Sequence, residues 1–216
     1  MHAVNIYLDS LHMDKIPLEE QKTIQKIRSS ITTLNEMFDS LLNISKLDSY
    51  TYRPKNRDFA LADLAEWLEE FARPLAERKG LALNLPDEQG EVQGDFKLVQ
   101  QILMNLVSNA IHYTDQGRIE VEFQSENGRL VLRVKDTGCG ISAEDQAKIF
   151  AEFYRVDETR ALHDGLGLGL SIVKRLCQLI EARVEVVSER RQGATFVVHT
   201  PYRLQHQATA APAALP

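Results

Sequence analysis

The sequence predicts an α+β chain: a two-layer α/β sandwich preceded by a helical hairpin that forms a dimeric four-helix bundle. Three observations carry this prediction. Apolar residues Ile24, Ile27, Ile31, Leu34, Phe38 and Leu41 recur in steps of three and four, the signature of a helical seam. From about Tyr52 that period gives way to alternating strand-like and helix-like segments. Three asparagine- or glycine-bearing segments then follow in order: NLVSNA at 105–110, DTGCGI at 136–141 and GLGLGLSIVK at 165–174.

The front segment reads as a hairpin. Pro17, followed by Leu18, Glu19 and Glu20, suits a helix start, because proline fits the first turn and acids favour its positive end. Val4, Leu8 and Leu11 form a shorter apolar stripe upstream, so the turn falls between Met13 and Pro17. Two helices cannot bury so long a seam alone, which predicts a homodimer through the hairpin rather than packing against the chain's own second domain. Residues 53–57 form a polar linker. A helix is expected from Leu61 to Arg78, ended by Gly80. Leu81–Leu85 alternates as a strand, and Asp95 opens a long helix over Phe96–Tyr113. Strands are expected at 118–124 and 130–135, joined through Asn127-Gly128, a dipeptide with hairpin chemistry. A helix from about Leu168 to Ile180 then feeds strands at 183–188 and 194–200. The domains are thus 1–51 (partial hairpin), 57–203 (α/β unit) and 204–216 (disordered linker or tail), the last being alanine- and proline-rich with nothing to bury from Gln207 onward.

Composition narrows the function classes. A formal charge of −6 without a Lys/Arg cluster argues against a nucleic-acid partner. No apolar run approaches the ~18 residues needed to span a bilayer, so this segment is expected to make no membrane contact. The only cysteines, Cys139 and Cys177, are far apart and lack metal-ligand spacing, which suits a reducing, cytoplasmic setting.

Asn105 and Asn109 lie four apart, on one face of the predicted helix. Amide oxygens are hard, neutral donors suited to Mg²⁺, which favours oxygen ligands and keeps several waters or phosphates. A solvated asparagine pair is the competing reading. Asp136 ends an apolar strand and precedes a glycine turn. A carboxylate there can accept from an exocyclic amine such as adenine's, with Gly138 and Gly140 letting backbone approach a flat ring. An ordinary Asp-Thr-Gly turn is the alternative. Gly165, Gly167 and Gly169 run into a helix whose free N–H groups could hold phosphate. Their spacing is neither the dinucleotide fingerprint nor a Walker loop.

These segments resemble, in order, the nucleotide boxes of bacterial sensor histidine kinases, in the catalytic ATP-binding domain of the GHKL (Bergerat) fold. Asn105–Tyr113 is similar to the N-box, Asp136–Ile141 to the G1 box, Ile149–Asp157 (IFAEFYRVD) to the F-box and Gly165–Leu170 to the G2 box. Gly193-Ala194-Thr195-Phe196 resembles the last glycine motif, and LLNISKL at 41–47 the end of the dimerisation hairpin. The resemblance implies a protein-histidine kinase that binds ATP and Mg²⁺. It would pass the γ-phosphoryl group to a histidine and then to the aspartate of a response-regulator receiver domain. It implies that Asn109 ligates the metal, that Asn105 supports it, and that Asp136 binds the adenine amine. Tyr113 and Arg155 would flank the nucleotide. His112, Gly138, Gly140, Ile141, Gly165, Leu166, Gly167, Leu168, Gly169, Leu170 and Thr195 would line the pocket, with a lid over about 156–168. The parent protein could be anchored in the inner membrane.

Two departures stand out. His112 sits where many relatives carry Lys or Arg. The phosphoacceptor histidine is expected just before Met1, since His12 is followed by Met13 rather than an acid and falls at the hairpin turn, and His2 lacks the following proline. The fragment is therefore expected to bind ATP without phosphorylating itself. GHKL ATPases carry a glutamate base four residues before the metal asparagine, where this chain has Asn105. That disfavours the ATPase reading, and the intact boxes disfavour a vestigial dimerisation module.

Overall fold

The computed structural model describes residues 53–87, 89–156 and 167–205, together with residues 17, 20, 21, 23, 24, 27 and 31. Glu20, Gln21, Thr23, Ile24, Ile27 and Ile31 are helical, and the Gln21 N–H donates to the Pro17 carbonyl at 3.0 Å. The upstream stripe, the later seam positions and the tail from 206 lie outside the described residues.

From Arg57 the chain builds one seven-stranded sheet with three long helices on one face. In order these are β1 (Arg57–Ala60), α1 (Leu61–Lys79), β2 (Ala82–Asn84), β3 (Glu91–Gly94), α2 (Phe96–Tyr113), β4 (Arg118–Glu126) and β5 (Arg129–Asp136). A single turn, α3 (Ala143–Gln146), precedes α4 (Gly169–Leu179), β6 (Arg183–Ser188) and β7 (Ala194–Gln205). The sheet order is β1-β3-β7-β5-β4-β2, with β6 also paired to β7. All pairings are antiparallel except β2 with β4.

The local chemistry explains the elements. In α1 the residues Leu61, Leu64, Leu68, Ala72 and Ala76 are buried at helical spacing, and Gly80, at φ +68°, closes the helix in the left-handed conformation. Asp95 caps α2 by accepting from the Leu98 N–H at 3.2 Å. Its other carboxylate oxygen accepts from the Lys55 N–H at 2.7 Å, which ties the incoming chain to the start of α2. Asn127 (φ +53°) and Gly128 (φ +71°) form the two-residue hairpin turn between β4 and β5. The core joins the buried faces of α1, α2 and α4 to Ile119, Val121, Phe123, Leu130, Leu132, Val134, Phe196 and Val198 of the sheet. Truncating a fully buried leucine such as Leu103 should cost ~2–5 kcal/mol.

Two strands were not predicted. Arg57, expected in the linker, begins β1, which pairs with β3 at the sheet margin. Both are four residues long, too short to reveal alternation. Among the described residues no helix is long and apolar enough to cross a membrane.

Candidate functional site

Asp136 is the last residue of β5, and its side chain is buried. It is 6% exposed, and one oxygen accepts from the Gly138 N–H at 2.8 Å and the Ala194 N–H at 3.3 Å. Burial pushes the carboxyl above its ordinary range, and these two backbone bonds only partly offset that rise. No cation among the described residues is paired with it.

Glycines draw the surrounding backbone tight. A Cβ on Gly138 would sit 2.3 Å from the Tyr113 carbonyl oxygen, and one on Gly193 (φ +81°) 2.0 Å from that of Asp136. At Gly140 (φ +67°) it would meet the Glu189 carbonyl oxygen at 2.0 Å. The space a Cβ would fill at Gly138 and Gly140 is taken by the protein's own carbonyls, so close backbone packing alone requires glycine at both positions. The turn is stitched further by Cys139 N–H to Tyr113 O (3.3 Å) and Arg191 N–H to Cys139 O (2.7 Å). Ile141 N–H donates to Ser188 Oγ (2.8 Å), whose hydroxyl donates to Gly193 O (2.7 Å). Gln146 Nε2 bridges Ile141 O and Ser188 O at 3.1 and 2.8 Å.

Asn105 and Asn109 do share a face, as predicted, and that face meets the first turn of α4. A Cβ on Gly169 would lie 3.4 Å from Asn105 Oδ1 and from both terminal atoms of the Asn109 amide. Asn105 Nδ2 donates to Gln101 O at 2.7 Å, which leaves its oxygen on the Gly169 side. Two neutral amide oxygens beside a helix N-terminus fit a Mg²⁺ ion that keeps water and phosphate oxygens as its remaining ligands. Among the described residues no group of three or more His, Cys, Asp or Glu offers another metal site.

A third group lies beside these two. Tyr113 feels the Arg155 charge, which lowers its pKa, while burial raises it by more. Arg155 Cγ is 3.1 Å from where a Gly167 Cβ would stand. Gly167, at φ +69°, accepts from the Phe153 N–H at 3.1 Å, so the two ends of the expected lid meet here. The His112 ring packs edge-on against Tyr113 with centroids 4.9 Å apart.

Other expected pocket residues are not brought into the cluster. Leu168 is 2% exposed within the core, and its carbonyl accepts from Ser171 Oγ and the Ile172 N–H. Leu170 is half-buried against the same core. Thr195 pairs with Lys135 and Val187, while Ala194 and Phe196 on either side of it face the core. Strand alternation therefore puts its side chain on the outer face of the sheet, opposite Asp136. The motif's contact to Asp136 comes from the Ala194 N–H instead. Gly165, Leu166 and the rest of 157–166 lie outside the described residues.

The structure thus holds a buried aspartate in a glycine collar, an asparagine pair beside the first turn of α4 and an arginine beside Gly167. Residues 94–204 match the family model described as "Histidine kinase-, DNA gyrase B-, and HSP90-like ATPase". The chain belongs to that family.

Its relatives are sensor kinases. The chain is 35% identical over 88% of its length to the autoinducer 2 sensor kinase/phosphatase LuxQ of Vibrio parahaemolyticus, covering 23% of that protein. It is 30% identical over 90% of its length to the sensor histidine kinase RcsC of Escherichia coli, covering 21% of it. It thus spans less than a quarter of these relatives. Among solved structures, full-length ShkA in complex with AMPPNP superimposes with a TM-score of 0.76 at 24% identity, over 95% of this chain and 45% of that one. The Acinetobacter baumannii histidine kinase AdeS gives 0.69 at 18% identity, over 91% and 90%. At these identities the structures establish the shared fold. The family excludes neither kinase nor ATPase chemistry.

Proposed function

We propose that this chain is the ATP-binding, catalytic region of a sensor histidine kinase, with residues 57–203 as the catalytic domain. The observation that carries the reading is the convergence of Asn105 and Asn109 on Gly169 at the start of α4, alongside a buried Asp136 at the end of β5. The free oxygen of Asp136 accepts the adenine amine, a donor that its buried, anionic character selects. Asn109, supported by Asn105, holds Mg²⁺, and the chemistry the ion supplies is neutralisation of phosphate charge. Arg155 and the N–H groups at Gly167 and Gly169 orient the phosphates. Positioning and electrostatics of this kind supply most of the catalysis in phosphoryl transfer. The Asn105 amide is not basic enough to take a proton from water, and its Nδ2 is already bonded to the Gln101 carbonyl, so the acceptor in this reading is a protein histidine rather than water. The phosphoryl group then passes to a receiver-domain aspartate.

Residues 1–51 form the hairpin through which two copies pair, and half-exposed Ile27 and its seam partners Ile24 and Ile31 are the surface it would cover. The parent protein works from the cytoplasmic side of a membrane. Calorimetric titration with ATP in Mg²⁺, with Asn109→Ala and Asp136→Ala alongside, tests the assignment. Saturable binding by the parent is expected, with Asp136→Ala abolishing it and Asn109→Ala abolishing its Mg²⁺-dependent part. An absence of binding by the parent chain would favour a non-catalytic module.

A further inference from the structure

We infer that Lys79 is a positioning residue of the nucleotide site, acting through the C-terminal turn of α2; this rests on the ATP reading above. The last turn of a helix leaves four carbonyls without intrahelical partners. Helices commonly solve this with a left-handed glycine, as α1 does at Gly80. α2 does not. Its C-cap is Thr114 in an extended conformation (φ −108°), and its last turn offers only His112 as a basic residue.

Lys79, at the end of α1, fills the gap. Its ammonium donates to the carbonyls of Ile111 at 2.9 Å, His112 at 2.8 Å and Thr114 at 3.3 Å. Three donors meet three acceptors, the full capacity of the group. The remaining carbonyl, that of Tyr113, accepts from the Cys139 N–H of the Asp136 turn at 3.3 Å. Each carbonyl from 111 to 114 therefore has a partner, and three of the four share one side chain. The cation also opposes the negative end of the α2 dipole. Its stem is fixed because Gly80 stops α1 at Lys79, with the Gly80 and Leu81 N–H groups returning to Glu77 and Ala76.

The residues held this way are His112 and Tyr113, and the Tyr113 carbonyl in turn packs on Gly138, whose N–H binds Asp136. Without the ammonium the last turn frays, and Tyr113 and the Asp136 turn lose their common reference. A core that Lys79 does not enter should keep the domain folded. If the ordered turn drops to a tenth of the population, apparent affinity falls ~10-fold.

The test compares Lys79→Met, Lys79→Arg and Glu69→Ala, the last breaking the exposed Glu69–Arg73 pair elsewhere on α1. Lys79→Met is expected to bind ATP·Mg²⁺ ~10-fold more weakly, with a melting temperature within ~2–4 °C of the parent. Lys79→Arg should restore most of the affinity, and Glu69→Ala should leave it unchanged. Parent-like affinity in Lys79→Met, or an equal loss in Glu69→Ala, would overturn the inference. Amide exchange at Cys139 supplies a readout independent of nucleotide: protection should fall in Lys79→Met, and unchanged protection would refute the cap. Failure of the parent itself to bind ATP would instead count against the nucleotide reading.

Discussion

Replacing Asp136 by asparagine separates the stability of the site from its ligand chemistry. The carboxylate is 6% exposed, and its bonds to the N–H groups of Gly138 and Ala194 use a single oxygen. An asparagine can keep both of those bonds through its own Oδ1. What it changes is the other terminal atom, from an anionic acceptor to an NH₂ donor. Against an adenine amine that exchanges a charge-assisted bond for a donor–donor clash, a loss of ~1.5–3 kcal/mol, or roughly 10- to 150-fold in affinity. Stability should move the other way. Burial raises the Asp136 pKa, so the native chain binds this proton more tightly than the unfolded chain does. Stability is therefore lost as pH rises through the raised value, and an uncharged amide escapes that loss. Asp136→Asn should melt at or above the parent temperature at pH 7 while binding ATP at least ~10-fold more weakly. Thermal melts and calorimetric titration with ATP and Mg²⁺ read the two quantities separately. The parent should also lose affinity as pH falls toward the raised Asp136 value. Unchanged affinity in the variant, or a loss of affinity that tracks unfolding, refutes the adenine assignment.

Other substitutions probe different parts of the site. Asn109→Ala should abolish the Mg²⁺-dependent part of ATP binding, and the parent in chelator should behave alike; a variant still responsive to Mg²⁺ would remove Asn109 from the metal's ligands. His112→Lys is expected to tighten ATP binding up to about tenfold by adding a charged phosphate contact, and identical calorimetric affinity would end that idea. Gly193→Ala should destabilise by ~3 kcal/mol or more, since its Cβ would lie 2.0 Å from the Asp136 carbonyl oxygen at φ +81°. Gly128→Ala, with nothing within 4 Å, should cost only ~1–2 kcal/mol by chemical denaturation. Of the two cysteines, Cys177 is buried with its thiol pushed up to about 12, whereas Cys139 is exposed. One thiol should therefore react quickly in the native chain, and two fast thiols would contradict the packing of α4.

What the sequence made legible was whatever had a local cause. The bounds of α2 follow from Asp95 as a cap and from an apolar stripe that ends at Tyr113. The β4–β5 hairpin follows from Asn127-Gly128, because few residues besides glycine and asparagine adopt its left-handed angles readily. Contacts between distant segments left no such trace. Lys79 meets carbonyls 32 to 35 residues away, and nothing near it marks it as a cap. β1 is recognisable only as the partner of β3, and β3 only as the neighbour of β1 and β7. Thr195 shows how little separates a right motif from a wrong side chain. The segment was placed correctly, but a one-residue shift in phase exchanges the two faces of a strand.

The glycine collar bears on why an aspartate is buried here at all. Each tight approach at Gly138, Gly140 and Gly193 is made by protein backbone, so the collar's shape is set before any ligand arrives. A turn that needed only its own hydrogen bonds could close on an asparagine, which would accept from Gly138 and Ala194 without a buried charge. The chain instead keeps a carboxylate whose ionised form burial disfavours, with no countercharge among the described residues. A buried anion held by backbone donors on one oxygen is poised to take a donor on the other. Perturbed, unpaired carboxylates of this kind concentrate at functional sites, where the stability forgone is recovered when the ligand binds. ATP should therefore raise the melting temperature of the parent far more than that of Asp136→Asn, and equal shifts would leave the buried charge without a role.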